Sequence, residues 1–181
     1  MKSETVPDKA AEVYQTAARE MWRADRSAGL LRLEVTSESM QPLLRTGDVV
    51  VVRPIDPRTL RPGEVVVVQR GDEWITHRLV TVDERGWHTH GDNTRYADEA
   101  ARADQMVGRV IAIERADQTI DLQQPHWRAI DRRINRVQRI QLRLLAAVRT
   151  IGSTQSTRLT RGLAALLNWP FHVLVRVLLR L

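Results

Sequence analysis

The chain has 181 residues, a formal net charge of +6, five histidines and no cysteine. That length suits one domain with appendages and is enough to bury a core, and the missing cysteine excludes disulfides, thiol catalysis and cysteine-ligated zinc. Eleven arginines against a single acid, Asp131, put +10 on residues 125–181 and leave −4 on the rest, a polarity that points to a negatively charged partner, anionic lipid or nucleic acid.

Pro7-Asp8 opens a predicted helix running to about Arg26, with proline in the first turn and Gly29 as its stop. Val13, Ala17 and Met21, with Ala10 and Trp22, form its apolar face. Charges run throughout, so the segment lacks the apolar core of a secretion signal. Residues 1–29 read as a helical extension packed on the body or on a partner.

Residues 30–124 carry a β pattern. Val49–Val52 and Val65–Val68 are short β-branched runs, preceded by Gly47-Asp48 and Gly63-Glu64. Pro54, Pro57 and Pro62 confine the stretch between them to loop. Gly71-Asp72 turns a hairpin into Trp74–Val82, Gly86 marks another turn, and Val107–Ile113 pairs with Thr119–Leu122 across Arg115–Gln118. Short strands with frequent turns predict a mainly β domain, a small mixed barrel or coiled sheet.

Past Pro125 the period becomes helical. Trp127, Ile130, Ile134, Val137, Leu144, Val148 and Ile151 recur at three- and four-residue steps, and Arg128, Arg132, Arg136, Arg139 and Arg143 fill much of the rest. Gly152-Ser153-Thr154 breaks this helix. Residues 163–181 are very apolar, with Asn168, His172, Arg176 and Arg180 in one stripe and Pro170 as a kink. Residues 125–181 thus form a basic amphipathic tail. One reading is an interfacial helix on an anionic membrane, since Pro170, His172 and Arg176 oppose a full span. Others are packing on its own domain or on a dimer partner, and nucleic-acid binding, for which no motif appears.

Three segments carry chemistry. Ser37-Glu38-Ser39-Met40-Gln41-Pro42 offers a nucleophile, Thr76-His77-Arg78-Leu79-Val80 a base within a strand, and Gly91-Asp92-Asn93 with Asp98 a group to orient that base. Each has a bland reading: a surface turn at Ser39, a core histidine at His77, a turn residue at Asp92, a helix cap before Glu99–Ala103 at Asp98. The only lysines, Lys2 and Lys9, precede the serine motif. Histidine is therefore the better base, and its ordinary pKa near 6.5 suits proton transfer at neutral pH. His88 and His90 lie nearby as weaker candidates. No His-x-x-x-His pair occurs, and neither metal nor cofactor is expected.

These segments resemble the boxes of type I signal peptidases, and more closely the archaeal and endoplasmic-reticulum type with a histidine base. The broader superfamily includes self-cleaving LexA-type repressors. The resemblance spans roughly Val35 to Glu114, and Arg45-Thr46-Gly47-Asp48, Arg61-Pro62-Gly63-Glu64 and Val107-Gly108-Arg109-Val110 also fit it. It implies Ser39 as nucleophile, His77 as base and Asp98 as orienting acid. Ser37 would assist the oxyanion, with Met40, Arg78, Asp92 and Asn93 supporting. Glu38 stands where the family usually has glycine. The implied activity is endoproteolysis of a signal or leader peptide after small residues, the substrate being a preprotein or a precursor peptide. The lack of a signal or N-terminal span suggests peripheral attachment on the cytoplasmic side. The alternative is a non-catalytic or self-cleaving LexA-like module. It would need a DNA-binding helix-turn-helix, for which thirty N-terminal residues are too short, and a scissile Ala-Gly site, for which no pair is expected in the chain.

Overall fold

The computed structural model describes residues 29–94 and 96–152. The expected helix at 7–26 and the apolar segment 163–181 lie outside them. The described residues form a single seven-stranded sheet followed by one α-helix: β1 Leu31–Glu34, β2 Val49–Arg53, β3 Val65–Arg70, β4 Glu73–Asp83, β5 Gly86–His90, β6 Met106–Arg115, β7 Gln118–Asp121 and α1 Pro125–Gly152. The order is β1-β2-β6-β3-β4-β5, with β7 also on β6, and every pairing is antiparallel. The expected mainly β body is thus an antiparallel sheet followed by a helix.

Strand β6 is the spine. Register shifts against β2 and β3 mark bulges near Ile111 and Val107, and bulges bend and twist a strand. On one side β6 pairs with β2. On the other its first half pairs with β3 and its second half with β7. Gly108 sits at the bend, where a Cβ would meet the Arg53 carbonyl at 2.4 Å.

Val65–Val68 is buried throughout because β3 is covered on both faces. Val65 and Val67 join the main core with Leu33, Met40, Leu44, Val50, Val52 and Ile113, while Val66 and Val68 face a second cluster with Leu60, Leu79 and Met106. Helix α1 closes the main core. Ile134 is fully buried in it, and Trp127, Ile130 and Val137 pack against it. The expected apolar stripe does not continue to Leu144, which is 46% exposed. The buried face instead runs through Ile134, Asn135, Gln138 and Gln141.

Candidate active site

Strand β4 supplies two neighbouring residues to opposite sides of the sheet, since successive side chains alternate. His77 points one way and Arg78 the other, and both are buried.

The His77 Nδ1 and a carboxylate oxygen of Asp98 are 2.6 Å apart. Asp98 is placed by the segment after β5, whose backbone N–H donates to the Thr89 carbonyl, and the Thr89 hydroxyl donates to the same carboxylate oxygen at 2.6 Å. Burial opposes ionisation of Asp98, but the bonds from His77 and Thr89 outweigh it and hold its pKa below the usual carboxylate value. Asp98 caps no helix; the nearest helical turn, Ala103–Gln105, starts after Arg102.

The other ring nitrogen of His77, Nε2, has no hydrogen-bond partner among the described residues. It faces Gly91, where a Cβ would lie 2.9 Å from Nε2 and 2.7 Å from the Ser39 carbonyl. The His77 ring and the Ser39 carbonyl therefore pack so closely around Gly91 that only glycine fits there. Ser39 sits in the turn after β1, and its hydroxyl pairs with that of Ser37 at 3.1 Å.

The Gly-Asp-Asn box clips this turn in place. The Asn93 N–H donates to the Ser39 carbonyl at 2.7 Å, and its side-chain amide to the Glu38 carbonyl at 3.0 Å. The Asp92 N–H reaches the Met40 sulfur at 3.4 Å. After the turn, Arg115 holds buried Asp48 with two hydrogen bonds and donates a third to the Leu43 carbonyl.

Behind the box lies a polar network. Arg78 is fully buried and donates through Nε and Nη2 to Asp92, and through Nη1 to the Gly63 carbonyl and to Asp131 of α1. Burial works against its charge, but Asp92 and Asp131 keep it firmly protonated. Burial also raises the pKa of Asp131, with Arg78 opposing. Gln138 donates to His90 Nδ1 at 2.8 Å and to Asp92 at 3.3 Å. Burial, with the neighbouring His77, lowers the His90 pKa to about 4, so its ring is neutral at pH 7. His88 pairs instead with Asp83.

The expected residues thus fall into two connected groups: Ser37, Ser39, His77 and Asp98 on the side of Gly91 where the serine turn meets the His77 ring, and Met40, Arg78, Asp92 and Asn93 bracing them. Asp131 and Gln138 belong to the brace and were missed, because burial of polar side chains has no periodic signature; His90, a weaker candidate base in the sequence, joins the brace through Gln138. The expectation that the chain has no Ala-Gly pair is wrong: Ala28-Gly29 is one, with Gly29 read only as a helix stop.

The peptidase S24-like family model matches residues 3–111, more than half of the chain, and the chain belongs to that family. The family includes serine peptidases and falls in the superfamily of LexA and signal peptidase I, which the motifs indicated at their broader level. The match ends within β6, so β7 and α1 lie beyond it. A search of curated proteins found no match.

Proposed function

We propose that this chain is a signal-peptidase-like serine endopeptidase of the histidine type, cutting an N-terminal signal or leader peptide after small residues. The observation that carries this reading is the His77–Asp98 pair, whose free Nε2 lies against Gly91, where the Ser39 carbonyl also packs. Ser39 attacks the scissile carbonyl as Nε2 takes its proton, and Asp98 holds the Nδ1–H and stabilises the imidazolium. When the leaving amine departs, Nε2 returns the proton. The Ser39 N–H and the Ser37 hydroxyl are the proposed donors to the oxyanion.

A cleft of about 270 Å³ beside Ser39 supports a peptide substrate. Val35, Met40, Leu44 and Trp74 line it together with polar Thr36 and Thr76 and the acids Glu34 and Glu73. Its walls are strand edges. Val35 directs its N–H and carbonyl to Asp48 and Gly47, so Glu34 and Thr36 turn theirs the other way, toward the cleft. Leu79 bonds toward Gly63 and Glu64, so by alternation Thr76 turns its backbone groups to the opposite edge. An extended peptide between Thr36 and Thr76 would extend the sheet.

Ser39→Ala and His77→Ala are each expected to stay folded and to lose cleavage of a leader peptide by a factor on the order of 10⁶, since the two act as a unit. Near-wild-type cleavage by either variant overturns the assignment.

Ala28–Gly29 favours a second reading, self-processing. Strand β1 begins only two residues later and ends before the serine turn, so its length, at about 3.3 Å per residue, holds that bond away from Ser39. A cut in trans between two copies fits better. A mass of the incubated wild-type chain shortened by residues 1–28, absent in Ser39→Ala, would establish it.

We also propose that residues 125–181 attach the enzyme peripherally to an anionic membrane. The support is their +10 charge and the concentration of anionic lipid on the cytoplasmic leaflet. No described helix is long and apolar enough to cross a membrane.

A further inference from the structure

A second cleft, of about 610 Å³, opens between the loop after β2, the outer side of β6 and the start of α1. Its charged lining does not cancel locally. Of its carboxylates, Glu64 is 2.7 Å from Arg109, and Asp131 is 2.6 Å from Arg78. Three further guanidiniums, those of Arg61, Arg128 and Arg132, also line it and have no ion-pair or hydrogen-bond partner among the described residues. They come from two separate elements, and Arg128 and Arg132 stand one helical turn apart on the same face of α1.

We propose that this cleft is a binding site for a phosphate-bearing ligand, held by Arg61, Arg128 and Arg132. Three like charges around one concavity repel one another and gather an anion. Guanidinium forks match phosphate oxygens two at a time. The volume suits a small ligand or a lipid headgroup and exceeds what one bare phosphate fills. The site does not depend on the serine chemistry, although its floor meets the brace: Gly63 and Asp131 line the cleft and both accept hydrogen bonds from Arg78.

The test compares two full-length variants of equal net charge, Arg128→Gln with Arg132→Gln, and Arg139→Gln with Arg143→Gln. The second pair has the same spacing on the same helix, is exposed, and lies outside the cleft. Inorganic pyrophosphate is titrated calorimetrically, and vesicles of phosphatidylglycerol in phosphatidylcholine are used for co-sedimentation, both at fixed salt. The cleft pair is expected to weaken pyrophosphate binding at least about tenfold, as two charge-assisted hydrogen bonds are lost, and the control pair by no more than about twofold; with vesicles, where every arginine of residues 125–181 adds attraction, the cleft pair is expected to lose at least about tenfold more than the control pair. A selective loss confined to vesicles identifies the ligand as a lipid headgroup, and one seen with pyrophosphate as a free phosphate compound. Equal losses in the two pairs, or no loss in either arm, overturn the site. Because these arginines are exposed, melting temperatures should match wild type; Arg61→Gln, in the loop, repeats the test if the helix pair fails to fold.

Discussion

Two aspartates six residues apart in sequence have different surroundings, and this separates their expected roles. Asp98 touches the ring of His77 and keeps a side chain 20% exposed, whereas Asp92 is wholly buried against Arg78. Asp98→Asn is expected to lower turnover by a factor on the order of 10⁴, because the ring loses its orienting charge, with a smaller loss of stability than Asp92→Asn. Asp92→Asn removes one partner of a buried ion pair and is expected to cost about 3–5 kcal/mol of stability. Paired activity and urea-unfolding measurements check both, and the reverse pattern would exchange the two roles.

At the scale of elements, α1 behaves as two parts. Its first turns complete the core and brace the Gly-Asp-Asn box through Asp131, Ile134 and Gln138. Removing residues 157–181 is therefore expected to spare cleavage of a short peptide while lowering co-sedimentation with anionic vesicles. Removing 125–181 is expected to abolish the cooperative melting transition. Ile134→Ala alone should cost about 2–5 kcal/mol, the range for a large buried aliphatic side chain. A cooperative, wild-type-like transition without residues 125–181 would show that the sheet does not need the helix.

For the whole molecule, acid is expected to destabilise the fold in two successive windows. His90 has a folded pKa of about 4, below the usual 6.5 of an unfolded chain. The groups facing it are His77, Asp92, Asp98 and the neutral Gln138. Between pH 6.5 and 4 the unfolded chain takes up a proton that the folded chain refuses, so stability falls as pH drops, by about 2 kcal/mol from pH 7.5 to 5. Asp98 has the opposite charge type and a lowered pKa. Its contribution is present above the unfolded value near 3.9 and is lost as pH falls through the folded value. Urea unfolding at pH 7.5 and 5 checks the first window: His90→Gln should flatten the difference by that amount, and an unchanged difference would remove His90 as its cause.

The sequence by itself determined the β body, most of its turns and the start of α1, because these depend on local chemistry. Valine runs favour strands, Gly71 and Gly86 adopt positive φ at the turns, and Pro125 opens the helix. The motifs also named the residues now found around Gly91, since a box such as Gly91-Asp92-Asn93 is contiguous. Only the tertiary structure decided which groups meet. Ser39, His77 and Asp98 come from three separate segments joined through the folding of β1, β4 and the chain after β5. Buried Arg78 and Gln138 look in sequence like surface residues, and their burial is tolerable only because Asp92, Asp131 and His90 arrive from elsewhere to receive their hydrogen bonds. The apolar stripe of α1 likewise misled at Leu144, because periodicity gives the direction of a face and not the point where the sheet beneath it ends.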